Sequence, residues 1–170
     1  MKPANLHYMR LVGVLGLLAM SNYPNANSQV YDELEIIKIR ENYKFVNSQI
    51  DSRAYTRSTK ELPYCQGRID QKREIWTDKN GTLRKYSQSG GSDDSFTSAD
   101  YYFDYKKRLD FILIQHNNVH GISAELRVYY DDSGKIIRST QSRSSVAEDF
   151  WQAISSNPTA LFTASYQCDH

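Results

Sequence analysis

Between Val30 and Ile50 the apolar residues Ile36, Ile39, Tyr43, Val46 and Ile50 fall 3, 4, 3 and 4 positions apart, and Val30, Leu34 and Ile37 widen the stripe. That spacing follows the period of an α-helix. Asp32, Glu33, Glu35, Lys38, Arg40, Glu41 and Lys44 occupy much of the remaining circumference, so the helix is amphipathic and lies on something apolar. The stretch 51–61 is polar and weakly periodic, and Leu62-Pro63 stops any helix before it. One long helix, frayed or broken after Ile50, is the expectation.

Further along, one phrase occurs three times: 76–83 (Trp-Thr-Asp-Lys-Asn-Gly-Thr-Leu), 102–109 (Tyr-Phe-Asp-Tyr-Lys-Lys-Arg-Leu) and 129–136 (Tyr-Tyr-Asp-Asp-Ser-Gly-Lys-Ile). Its aspartates, Asp78, Asp104 and Asp131, lie 26 and 27 residues apart. In each copy an aromatic strand end leads into a turn. The Asp carboxylate accepts backbone N–H groups there, and Gly supplies a positive φ. Lys107 stands where the other copies have Gly, so the second turn is longer, strained, or uses another residue in the left-handed region. The predicted strands run 70–78, 82–89, 99–104, 108–116, 122–131 and 135–142. The segment Ser89 to Ser95 reads as a flexible loop. Phe111-Ile112-Leu113-Ile114 is an unbroken apolar run, which places that strand between two buried faces.

Beyond Ser144, residues Val146 to Ile154 with Phe150 and Trp151 form a short amphipathic pattern, capped by Ser144 or Ser145 with Glu148 downstream. Asn157-Pro158 ends it, and loop or a final short strand follows. A repeat of this period also suits an open solenoid, but three copies flanked by helices fit a closed domain better. The expected fold is α+β: an N-terminal amphipathic helix packed on an antiparallel meander of about six strands, with a short C-terminal helix.

The N-terminus adds a compartment. Lys2 and Arg10 precede the apolar run Leu11 to Met20, and a polar segment broken by Pro24 follows, the order of a cleavable secretory signal peptide. Ala26 and Ser28 sit as the small residues of a peptidase site, with cleavage before Gln29 preferred and after Ala26 second. The apolar run is half the roughly 20 residues a membrane-spanning helix requires. No cysteine follows it for lipidation. Residues 1–28 are thus expected to be removed and 29–170 to form a single globular domain, released into the periplasm or outside the cell. Cleavage leaves 19 basic and 20 acidic residues, a formal charge of −1 in place of +1. Such a mixed surface has no electrostatic footprint for nucleic acid or an anionic membrane.

Export also gives the two cysteines, Cys65 and Cys168, a meaning: in an oxidising compartment the pair is expected to form one disulfide. It would close a loop of 104 residues, for which chain entropy alone gives about 4.7 kcal/mol. Free or metal-binding thiols are the alternative, although two cysteines do not complete a zinc site.

The helix with Ile-x-x-Ile-x-x-x-Tyr, the three turn phrases and the closing segment Arg127 to Arg138 resemble a group of uncharacterised small exported bacterial proteins. In them a helix is followed by repeated Tyr-Tyr-Asp-x-x-Gly-Lys-Leu/Ile hairpins. The resemblance spans about residues 36 to 138 and implies no activity.

Candidate chemistry is sparse. His116 and His120 are four apart, but between strands that spacing does not make a metal pair, and a hairpin loop with solvated histidines accounts for both. Asp78, Asp104 and Asp131 are explained by their turns before any calcium or catalytic role. Asp93-Asp94 belongs to a solvated loop. No nucleophile elbow, phosphate-binding glycine loop or activated cysteine is present. No cofactor and no metal are expected. The positive lead is aromatic: 13 tyrosines and two tryptophans offer contact area with a polar handle, and Tyr86, Tyr101, Tyr105 and Tyr129 are the candidate binding residues on an exposed sheet face or rim. Core packing of the same residues is the plainer account. The functional expectation is a non-catalytic binding module for an unknown protein or small ligand. The alternatives are an envelope hydrolase without a local signature, and an inhibitor or immunity protein with one protein partner.

Overall fold

The computed structural model describes residues 26–62, 72–142 and 158–164. The apolar run 11–20, Cys65, Cys168 and the helix expected over 146–154 lie outside these residues. Helix α1 covers Ala26–Asp51, and seven strands follow: β1 Thr56–Glu61, β2 Lys72–Thr77, β3 Leu83–Ser92, β4 Ser95–Phe103, β5 Leu109–Asn118, β6 Ser123–Tyr130 and β7 Ile136–Ser142. Helix α2 is Pro158–Thr163. The strands form one antiparallel sheet in sequence order. Among the described residues no helix is long and apolar enough to cross a membrane.

The first residues of α1 include the preferred cleavage point before Gln29. Its buried stripe is the one the 3-4-3-4 spacing picks out: Ile36, Ile39 and Val46 are buried, and Tyr43 and Ile50 partly so. Val30, Leu34 and Ile37 do not widen that stripe. At 100° per residue they fall on the opposite side of the helix, and the structure leaves them about half exposed together with Phe45. The helix ends in a Schellman arrangement, with Arg53 N–H on the Ile50 carbonyl and Ala54 N–H on that of Gln49, and Arg53 itself takes the left-handed conformation.

Seven strands rather than about six arise because β1 pairs along the edge of β2. Five of its six residues are exposed, so no apolar alternation marks it in the sequence. The expected Ser89–Ser95 loop is also mostly strand, with only Asp93-Asp94 as the turn between β3 and β4. Gly91 permits this: a Cβ there would lie 1.9 Å from the Ser95 backbone oxygen. At the C-terminal end, residues 158–163, expected as loop or a short strand, form helix α2 instead; Pro158 begins it, a first-turn position where its missing N–H costs nothing.

The two sheet faces bury separate clusters. On one, Tyr102, Phe111, Leu113 and Tyr129 pack with Ile36, Ile39 and Val46 of α1. The other gathers Tyr86, Tyr101, Ile112, Ile114, Leu126 and Val128, with Leu161 and Phe162 of α2 against it. Residues 111–114 therefore alternate between two cores, and all four are buried. Arg73 and Lys60 donate to backbone carbonyls at the end of α2 (Leu161 and Ala164) and tie it to the edge of the sheet.

The repeated phrase builds repeated geometry. In each copy the Asp N–H donates to the carbonyl four residues on, and its Oδ1 accepts the N–H groups two and four residues on, at 2.8–2.9 Å. Gly81 and Gly134 supply positive φ, and Lys107 adopts φ 66° in the equivalent place. The second turn is therefore no longer than the others: a residue other than Gly, Lys107 itself, takes the left-handed conformation. Asn118 builds a fourth turn of the same pattern with Gly121, between β5 and β6. After each of the three Asp turns the ladder skips one residue: Arg84, Asp110 and Ile137. Each bulge residue stands six positions after its Asp, and each meets the α1 side of the sheet.

Candidate functional site

Helix α1 crosses its sheet face without covering it, and a cleft opens on each flank. The first, of about 200 Å³, is lined by Ile39, Arg40, Tyr43 and Lys44 from α1, Phe111 and Leu113 from β5, and Arg127 and Tyr129 from β6. Register explains the strand contribution. Phe111 is paired with Tyr129 and Leu113 with Arg127, so all four share one face. On the helix, Ile39 and Tyr43 lie one turn apart on the buried side, while Arg40 and Lys44 follow them at the rim.

The floor of this cleft is aromatic. Tyr43 meets Phe111 edge-on with centroids 5.4 Å apart, and Phe111 lies 4.9 Å from Tyr129. Tyr102 backs the group, 4.9 Å from Tyr43. The rim is cationic: the Arg40 guanidinium stands 5.8 Å from the Tyr129 ring centroid. Arg127 Nε lies 2.7 Å from Glu125 Oε1, and that carboxylate is held in turn by Gln115. The Glu125 carboxylate raises the Arg127 pKa further above its already high ordinary value. Lys44 has no ion-pair partner among the described residues, and no acid lines the cleft.

On the other flank a polar cleft of about 220 Å³ runs from Glu35, Lys38 and Asn42 to the turns bearing Asp104, Arg108, Asp131 and Asp132. Its notable group is Asp110, one of the three bulge residues. Asn42 Nδ2 donates to Asp110 Oδ2 at 2.7 Å and also to the Phe103 carbonyl at 3.2 Å, and Asn42 Oδ1 accepts from the Arg84 guanidinium at 2.7 Å. Asp110 Oδ1 is buried without a partner. Burial raises this carboxyl to about 7; the Asn42 hydrogen bond opposes the shift, and the nearby Asp104 adds to it. The surrounding charges are engaged. Asp104 and Asp132 share Arg108 at 2.7 Å each, Glu35 holds Lys38 at 2.6 Å, and Asp131 accepts from Ser133 and its own turn. Asp110 thus sits in a link that fastens α1 to two bulges. Among the described residues no group of three metal-binding side chains assembles.

The four candidate tyrosines do not share an exposed face. Tyr86 and Tyr101 are fully buried in the core on the side away from α1, 5.5 Å apart by centroids. Tyr129 is on the α1 side and belongs to the first cleft. Only Tyr105 is exposed, at the β4–β5 turn. Strand alternation explains the split, because opposed residues and their second neighbours share a face, whereas Tyr101 and Tyr129 do not occupy such positions. The histidines also part company: His116 is buried on β5 with Nδ1 2.9 Å from Thr97 Oγ1, and His120 is exposed in the Asn118 turn. Arg40, Lys44, Phe111, Leu113 and Arg127 were not among the binding residues expected from the sequence. They come from three elements, and no local pattern unites them.

No protein-family model, curated protein or solved structure matches the chain.

Proposed function

We propose that this protein is an exported, non-catalytic binding module, and that its binding site is the cleft between α1 and strands β5 and β6. The observation that carries the reading is an aromatic floor of Tyr43, Phe111 and Tyr129 beneath an open rim of Arg40, Lys44 and Arg127. A concave, mostly apolar surface with a few convergent polar groups is the usual form of a small-ligand site. The volume suits a compact guest, since a cavity of about 150 Å³ already admits benzene. The polar cleft on the opposite flank offers a hydrolase much less. Of its carboxyls outside an ion pair, Asp110 is held by Asn42 and Asp131 by its own turn, and its other acids are bound to cations.

The test is an amide and aromatic NMR titration of residues 29–170 with 3-phenylpropanol. Saturable shifts centred on Tyr43, Phe111, Leu113 and Tyr129, abolished by the filling substitution Leu113→Phe in a chain whose other signals are unchanged, support the site. Shifts that fail to saturate, that centre elsewhere, or that persist in Leu113→Phe refute it.

A further inference from the structure

We propose that the cleft selects a compact anion: a carboxylate or similar group carried on a single-ring apolar body, with the ring on Phe111 and Tyr129 and the negative group at the rim formed by Arg40, Lys44 and Arg127. This deepens the binding reading and rests on it. The charge inventory carries the step. Three cations and no acid line the cleft. Glu125 engages Arg127 from outside it, and Glu33, which acts on Arg40, is itself paired with Arg138, so the rim keeps an excess of positive charge. The Arg40 guanidinium stands 5.8 Å from the Tyr129 ring centroid, within reach of the carboxylate of a guest whose own ring rests on that floor. Planar guanidinium groups bind a carboxylate through paired N–H donors, and Lys44 adds a mobile point charge. The floor accounts for the rest of the guest. It is built of rings and a leucine, and its volume of about 200 Å³ accommodates one ring with a short tether.

The experiment compares 3-phenylpropionate, 3-phenylpropanol and acetate by NMR titration of residues 29–170 at low ionic strength, where rim charges act at full strength. Expected is at least ~five-fold tighter binding of the carboxylate than the alcohol, with the advantage shrinking as salt is added, as for charge-guided recognition. Lys44→Glu, a charge reversal at the rim, should remove most of that advantage, read as the ratio of carboxylate to alcohol affinity in the same variant. Equal affinity for carboxylate and alcohol overturns the anion assignment but leaves the site standing. Acetate binding as tightly as 3-phenylpropionate overturns the role of the ring. No cleft shifts with either phenyl compound overturn the underlying site itself.

Discussion

Replacing Asp110 by Asn removes a charge from a place where the fold resists it, and the consequence can be worked out from the structure. Burial holds the native carboxyl near 7 against an ordinary value of 3.8. Between those two values the native chain binds a proton that the unfolded chain has released. Unfolding stability therefore falls as pH rises through this window, opposite to the usual carboxylate. The shift corresponds to a ceiling of about 4 kcal/mol above pH 7, at 1.36 kcal/mol per unit. Relaxation and entering water reduce it, so we expect Asp110→Asn to exceed the natural chain by about 2 kcal/mol at pH 8. The two should approach each other towards pH 4, close to the ordinary value of 3.8, and coincide below it. Asn retains an oxygen to accept from Asn42, so the link to α1 survives.

Urea denaturation at intervals from pH 4 to 8 measures the difference. Subtracting the two curves cancels Glu33, Glu74, Asp94 and Asp131, whose lowered pKa values make both chains less stable in acid. A difference that is flat with pH, or a variant less stable at pH 8, would refute the desolvation of Asp110.

Three further outcomes follow from the turns and the expected bridge. Lys107→Gly relieves a left-handed residue at φ 66° and should raise stability by up to about 1 kcal/mol, the left-handed penalty less the entropy glycine adds to the unfolded chain; thermal melting reads it. Gly91→Ala drives a Cβ to 1.9 Å from the Ser95 backbone oxygen, which no side-chain rotation relieves, and should cost about 2 kcal/mol or more by the same measurement. Purified under oxidising conditions, the mature chain should show no free thiol on intact mass after alkylation, and reduction should lower its stability by about 2–5 kcal/mol.

Local periodicity made much of the fold legible. Ile36, Ile39, Tyr43, Val46 and Ile50 mark the docked face of α1, the Asp turns mark three hairpins, and the unbroken run at 111–114 marks a strand between two cores. Where the reading failed, the physical reason is specific. Val30, Leu34 and Ile37 are apolar but lie on the outer side of the helix, and composition does not distinguish an exposed apolar stripe from a buried one. Strand β1 carries no alternation because both its faces are mostly solvated. The clefts were invisible because they depend on register: Arg127 matters only because it is paired with Leu113. Asp110 matters only because a bulge turns it toward Asn42. The bulge does leave a trace, since Arg84, Asp110 and Ile137 each follow a turn Asp by six residues.

The most direct test of the central claim is a crystal structure of residues 29–170 soaked with 3-phenylpropionate. The phenyl ring is expected against Phe111 and Tyr129, with the carboxylate within hydrogen-bonding distance of at least one of Arg40, Lys44 and Arg127. A cleft empty at saturating ligand, or the compound bound only elsewhere, such as beside Tyr105, would contradict it.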